Sequence, residues 1–250
     1  MSKLLHGNVL TFENNSPKWM ATDNPENWEN SKFDAAWRKK WLHEDISYNL
    51  NSEGYRTKER DEIDWGNSVV VIGDSCTLGI GVPERMTVSD QLSKRINKPV
   101  INLGVAGSSN LFMMYNAAKL IENFTPYAVV VVWSTAERFP RLSSPEIGST
   151  GIMHLGSWDN SRDYINFWVK RDHYLFHDEL IKNTIRQLNI KRFLDYVPRS
   201  WKNEHDEAVV PWISKDDPAR ARDNLHPDGL VYKKWANIVA EDFEKNGWMD

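Results

Sequence analysis

One cysteine, Cys76, stands among 250 residues. No disulfide can form within the chain, so stability has to come from a packed core, and this usage fits a reducing compartment. Long apolar runs are missing as well. Nothing approaches the ~18–20 consecutive apolar residues that cross a bilayer. The opening stretch MSKLLHGNVLTFENN has neither a signal-peptide core nor a small-residue cleavage site. A cytoplasmic protein without a membrane span is the expectation, and release by cell lysis would leave no mark in a sequence. Excess charge of one sign is absent too. With 31 Lys and Arg against 35 Asp and Glu, the formal net charge is -4, which argues against a general nucleic-acid partner. Gly79-Ile80-Gly81 lacks the third glycine of a dinucleotide fingerprint, and no phosphate-binding Gly-x-x-x-x-Gly-Lys-Ser/Thr occurs. Gly-x-Ser-x-Gly is missing, which disfavours the nucleophile-elbow hydrolases.

What is there is an ordinary globular composition, 40% hydrophobic and 26% charged, long enough for one large domain or a medium domain with an extension. The character changes near residue 66. Residues 1–66 are rich in Asn, Glu and Trp, with Trp19, Trp28, Trp37, Trp41 and Trp65 among them. Phe33, Trp37 and Trp41 recur every fourth residue, one apolar stripe on a short helix. This segment reads as an arm packed on a main domain of residues 67–250. Arg38-Lys39-Lys40 reads as the solvated side of that helix. ISYNLNSEGYRT (46–57) alternates loosely and closes on the turn signal Asn51-Ser52-Glu53-Gly54.

From Val69 the pattern alternates. SVVVIG (68–73), PVINLG (99–104) and YAVVVVW (127–133) are continuous apolar runs, as expected of strands buried on both faces. VSDQLSKRIN (88–97) and NLFMMYNAAKLIENF (110–124) have helical periodicity. The fold class is therefore α/β, a parallel sheet with helices on both sides. Residues 134–168 carry Pro140, Pro145, Gly148, Gly151 and Gly156 and show no clear element. A helix over 173–189, strands at 190–197 and 208–213, and a C-terminal helix complete the prediction. In that last helix Tyr232, Trp235, Ala236, Val239 and Phe243 share one face, with Pro227 at a position tolerated in a first turn.

In a parallel sheet ligands bind beyond the carboxyl ends of the strands. Gly73-Asp74-Ser75, Gly104-Val105-Ala106-Gly107 and Ser134-Thr135-Ala136-Glu137-Arg138 leave three such ends. Asp223-Asn224-Leu225-His226-Pro227 comes just before the last helix. A serine hydroxyl needs a base within hydrogen-bond reach to become a nucleophile. That base, a histidine, needs a carboxylate on its other nitrogen. Asp223 precedes His226 by three residues, so one tight turn can supply both. The resulting oxyanion needs N–H donors, for which the amides of Ser75 and of 104–107 are candidates. A helix after Ser75 would add its positive end.

GDSCTLG, NLGVAG and DNLHP, in this order, resemble the SGNH/GDSL hydrolase family over roughly residues 67–246. LNSEGYRT is similar to the strand-and-turn segment ahead of the GDS block in one subgroup. The resemblance implies a flavodoxin-like three-layer α/β/α sandwich and cleavage of esters of lipids, small acyl groups or carbohydrates. It implies Ser75 as nucleophile, His226 as base, Asp223 as its partner and Gly104 as an oxyanion donor, with no metal or organic cofactor. The sequence departs from the family in its third block, Gly-x-Asn-Asp, where Ala136 takes the Asn position and Glu137 the Asp position. An unreplaced oxyanion donor costs about 2.7–4 kcal/mol. Ser134, Thr135 and Asn110 carry donors that could stand in.

Further candidates are weaker. Arg138 and Arg141 could meet an acidic group of a substrate, or pair with surface carboxylates such as Glu137, which is favoured. Trp133 ends the third strand and is a further substrate-side candidate. Trp158 and Trp168 read as packing rather than as a sugar platform. His173 and His177 lie four apart without a clear third metal ligand. The expectation is a serine esterase or acylhydrolase acting on a small-molecule or carbohydrate ester. Acyl transfer to an alcohol by the same triad, and an inert binding or structural protein of this fold, stand as alternatives. The oligomeric state is not set by the sequence.

Overall fold

The computed structural model describes residues 16–31, 35–142, 152–156, 171–198, 209–211 and 219–249. Its centre is a five-stranded parallel sheet of β1 (Val69–Gly73), β2 (Val100–Gly104), β3 (Ala128–Val132), β6 (Phe193–Pro198) and β7 (Val209–Val210), ordered β2-β1-β3-β6-β7. A second, two-stranded antiparallel sheet joins β4 (Phe139–Leu142) to β5 (Ile152–Leu155). The helices are α1 (Pro25–Asn30), α2 (Ala35–Leu42), α3 (Ser75–Leu78), α4 (Val88–Ile96), α5 (Asn110–Asn123), α6 (Arg171–Arg186) and α7 (Gly229–Lys245).

Alternation along the central strands sorts side chains between two cores, because neighbouring residues of a strand point to opposite faces. Val69, Val71, Ala128, Val130 and Val132 pack with Leu92 and Ile96 of α4 and with Val231, Trp235, Val239 and Phe243 of α7. Val70, Ile72, Val129 and Val131 face the other way, against Phe112, Met113, Ala117 and Leu120 of α5 and Ile181 and Ile185 of α6. The result is the three-layer α/β/α arrangement with the flavodoxin-like strand order. All five predicted face residues of α7 are buried.

The stretch before β1 lies across both cores. Met20, Trp37, Trp41, Ile46, Tyr48 and Leu50 join the first core, and Tyr55 and Ile63 the second. Of the predicted tryptophan stripe, Trp37 and Trp41 are buried, while Phe33 lies outside the described residues. Arg38-Lys39-Lys40 is only partly a solvated face. Arg38 donates to the carbonyls of Trp28, Glu29 and Ser31, and Lys40 pairs with Asp228. Residues 46–57 form no strand. They run extended with Ile46, Tyr48 and Leu50 inward, then turn at 51–54, where Asn51 Oδ1 accepts from the amides of Glu53 and Tyr55.

Three expectations are corrected. The stretch read as featureless contains the β4–β5 hairpin, which the prolines and glycines of that stretch concealed. The strand expected over 208–213 is confined to Val209–Val210 among the residues described there. Pro227 is not in the first turn of α7, because that helix starts at Gly229 with Asp228 as N-cap, its carboxylate accepting from the amides of Leu230 and Val231. Pro227 instead bridges to Arg220 and stiffens the turn ahead of the cap.

Close packing between β2 and α3 sets one stringent requirement. A Cβ on Gly104 would come within 2.7 Å of Leu78 Cα and 2.8 Å of the Thr77 carbonyl carbon, backbone that cannot step aside. Gly104→Ala is expected to lose about 3 kcal/mol or more of stability, read as a lowered urea midpoint.

Candidate active site

At the sheet's carboxyl edge the chain passes from β1 through Asp74 into α3. Asp74 caps the helix, its carboxylate accepting from the Cys76 amide at 2.9 Å, which places Ser75 as the first helical residue. The helix expected after Ser75 is present, but only four residues are helical here, so its dipole is that of a single turn. The order β2-β1-β3 makes the ends of β1 and β3 the point where the sheet reverses direction, and a crevice opens at such a point.

The turn at 220–226 arrives at this crevice from the far end of the chain. Asn224 holds a left-handed conformation, φ +63°, which asparagine tolerates better than most residues. The amides of Leu225 and His226 both donate to Asp223 Oδ1 at 3.1 Å. His226 Nδ1 lies 2.5 Å from Asp223 Oδ2, and His226 Nε2 lies 2.8 Å from Ser75 Oγ. With the proton on Nδ1, the imidazole donates to the carboxylate and accepts from the serine hydroxyl. Ser75, His226 and Asp223 are therefore brought into one hydrogen-bonded row. Ser75 retains 8% exposure.

Electrostatics follow from this geometry. Burial pushes the Asp223 carboxyl up, but the neighbouring His226 and hydrogen bonds from His226, Thr22 and Leu225 outweigh it, and the net direction is down. Burial pushes His226 down. The Asp223 charge and hydrogen bond, with a smaller contribution from Asp74, reverse this and leave the imidazole above its ordinary value. For Cys76, complete burial followed by the Asp74 charge drives the thiol well up. It is a packed residue and a poor nucleophile.

Asp74 does more than cap. Its Oδ2 accepts from Ser134 Oγ at 3.0 Å and from Arg138 Nη1 at 2.8 Å. The pairing expected for Arg138 with a surface carboxylate such as Glu137 is replaced by one with this buried group. Asn110, at the start of α5, clamps the same loop. Its carbonyl accepts from the Ser134 amide at 2.8 Å, and its NH₂ donates to the Ser134 carbonyl and to Asp178.

These contacts sort the oxyanion candidates. Both Asn110 amide protons and the Ser134 hydroxyl are committed elsewhere. The Gly104 amide donates to Asn102 Oδ1 at 2.9 Å, so it is not available, and the assignment to Gly104 is corrected. Further along that loop Gly107 has φ +73° and an amide without a partner among the described residues. The Ser75 amide is likewise unpaired there. Thr135 Oγ1 is buried and has no hydrogen-bond partner among the described residues, and Ala136 offers no side-chain donor.

Trp133 is not on the substrate side. It is fully buried and donates its indole N–H to Asp195. Arg141 pairs in register with Met153 in the β4–β5 hairpin, and its side chain lies outside what is described. So does the His173 side chain, whereas His177 is partly exposed on α6. Trp158 and Trp168 fall outside the described residues. Sequence reasoning missed Thr22, whose hydroxyl donates to Asp223 Oδ2 at 2.7 Å across 201 positions. No local motif could have signalled that contact.

Comparison with protein-family models and with curated proteins gives no match. Among solved structures the chain is similar to a psychrotrophic esterase from Pseudoalteromonas, at 9% identity and TM-score 0.46, covering 71% of this chain and 99% of that one. It is similar to a lipase/acylhydrolase from Enterococcus faecalis at 14% identity and TM-score 0.44, covering 72% and 96%. An acetyl xylan esterase from Butyrivibrio proteoclasticus matches at 14% identity and TM-score 0.44, covering 75% and 66%. These likenesses are distant, and the chemistry rests on the site itself. Among the described residues no helix is long and apolar enough to cross a membrane.

Cys76 provides a check on this burial. Iodoacetamide is expected to leave the folded protein unlabelled over hours at pH 8 and to label it fully in urea, read by intact-mass spectrometry.

Proposed function

We propose that the protein is a serine ester hydrolase of the SGNH/GDSL type that works through an acyl-enzyme on esters of small acyl groups, acetylated carbohydrates included. The row Ser75 Oγ to His226 Nε2 at 2.8 Å and His226 Nδ1 to Asp223 Oδ2 at 2.5 Å carries this reading. His226 takes the hydroxyl proton as Ser75 Oγ attacks the ester carbonyl, and Asp223 stabilises the imidazolium that forms. The carbonyl π pair moves to oxygen. It returns as the C–O bond to the alcohol breaks, and the alcohol leaves with the proton from His226. Water then attacks the acyl-serine with His226 as base, releasing the acid and restoring Ser75.

The oxyanion is assigned to the amides of Ser75 and Gly107 and the hydroxyl of Thr135. Support comes from their position at the ends of β1, β2 and β3, and from the unsatisfied buried hydroxyl of Thr135. A buried hydroxyl without a partner costs stability in the resting protein. That cost is understandable where a charge develops in the transition state. Each step uses groups of the chain itself.

Hydrolysis of p-nitrophenyl acetate tests the proposal. Ser75→Ala is expected to lower kcat by about 10³-fold or more, and a variant as fast as the unmodified protein would discard the nucleophile assignment. The pH dependence has a definite sign. Catalysis needs neutral His226, whose ionisation is raised above 6.5, so kcat/KM should fall on acidification through a midpoint above that value. Asp223→Asn removes the raising charge and should move the midpoint down while lowering kcat.

A further inference from the structure

The triad turn is gripped by a segment that lies far ahead of β1. Residues 20–23 form a two-residue turn closed by hydrogen bonds from the Met20 amide to the Asp23 carbonyl, 2.7 Å, and from the Asp23 amide to the Met20 carbonyl, 3.0 Å. At its tip Ala21 sits at φ +53°, a conformation that costs an L-residue without a polar side chain. Thr22 follows, with its hydroxyl on Asp223 Oδ2 at 2.7 Å. Next to it the Asp23 carboxylate receives Arg222 in a two-pronged pair, Nε to Oδ1 at 2.8 Å and Nη2 to Oδ2 at 2.6 Å. The Arg222 guanidinium also lies 3.9 Å from the centre of the Trp19 ring and donates to the Lys18 carbonyl.

The grip extends to the nucleophile's own loop. Tyr48 OH donates to Asp23 Oδ2 at 2.6 Å and accepts from the Gly81 amide at 2.8 Å, while the Arg222 amide donates to the Gly81 carbonyl at 2.9 Å. Residues 18–23 thus tie the Asp223–His226 turn to the loop that follows Ser75.

We propose that the N-terminal segment is a working part of the site and that Thr22 is a positioning residue, its hydroxyl fixing the rotation of the Asp223 carboxylate and so the orientation of His226. This rests on reading Ser75, His226 and Asp223 as the reacting set. Asp223 is a buried acceptor with two oxygens. Oδ1 is filled by the amides of Leu225 and His226, and Oδ2 is shared between His226 Nδ1 and Thr22. Without Thr22 one lone pair of a buried carboxylate is left open, and rotation toward another donor would pull the imidazole with it. The hydroxyl proton also offsets part of the carboxylate's field at His226. Its loss therefore favours imidazolium.

The ionisable groups that bear on His226 are Asp223 in its own turn, Asp74 after β1 and Arg138 after β3. The buried Cys76 and Tyr232 next to this set are both held neutral by burial, with their ionisations driven well up. Arg222, three residues before Leu225 in the same turn, is occupied by Asp23.

The test uses the full chain and two readouts. The first is the titration of the His226 imidazole nitrogens by NMR, assigned by their loss in His226→Gln. In Thr22→Val it should move to higher pH, Thr22→Ala should reproduce the shift, and Thr22→Ser should return it to the unmodified position. The second is p-nitrophenyl acetate hydrolysis, with kcat about tenfold lower in Thr22→Val, KM unchanged and rate recovered in Thr22→Ser. An unmoved titration in both Thr22→Val and Thr22→Ala overturns the inference. If the unmodified protein is no faster than Ser75→Ala, the hydrolase reading falls, and the titration alone still decides for or against Thr22.

Discussion

A carboxylate taken out of water must be given donors for both oxygens, and Asp223 is where this requirement organises the molecule. It is 4% exposed and held by two amides of its own turn, one imidazole and one hydroxyl from the beginning of the chain. Each donor fixes a different piece of structure. The amides shape the turn, the imidazole sets the direction toward Ser75, and the hydroxyl draws the N-terminal segment onto the sheet's carboxyl edge. An unpaired buried charge costs several kcal/mol, so these pieces are fixed together.

Two further buried ion pairs brace the crevice from either side. Asp74 with Arg138 joins the exit of β1 to the exit of β3, and Asp23 with Arg222 joins the N-terminal segment to the turn that carries Asp223 and His226. Below the first pair, Asn110 links the Ser134 backbone to Asp178, which itself pairs with Lys182 of α6 at 3.0 Å. Buried pairs of this kind contribute little net stability against an apolar core. What they supply is direction, because a hydrogen-bonded network is satisfied only in one arrangement. Arg56 works in the same way without a carboxylate. It is 3% exposed, and its guanidinium donates to the carbonyls of Ser47, Leu78, Gly79 and Val82, holding the loop after Ser75 by its backbone.

The absence of a donor at Ala136 looks different once the loop is seen. In the sequence it is a lost side chain. In the structure the preceding residue, Thr135, carries a buried hydroxyl with no partner among the described residues, while the two other residues considered as replacements are spent on holding the loop. In the proposed reaction the demand for oxyanion donors falls on one hydroxyl and on backbone amides, whose positions depend on the loops keeping their shape. That dependence links the oxyanion assignment to the bracing by Asp74, Arg138 and Asn110.

The layers and the burial of α7 were legible because they rest on local periodicity, whereas the flavodoxin-like strand order was implied only by the family resemblance. Runs of β-branched residues make strands buried on both faces, and a fourfold apolar spacing makes a helix face, whatever the rest of the chain does. Ser75, Asp223 and His226 were legible because their pattern is short and falls at strand and helix ends. The hairpin at 139–155 was not, since its pairing carries no strong alternation. By itself the sequence determined on which edge of the sheet Ser75, Asp223 and His226 would lie. Only the tertiary structure decided that Trp133 faces the core and that the Gly104 amide is already bonded. It alone decided that Arg138 belongs to Asp74 and that Thr22 completes the shell of Asp223. A hydrogen bond across 201 positions leaves no local signature, because what creates it is the desolvation of one carboxylate in the finished fold.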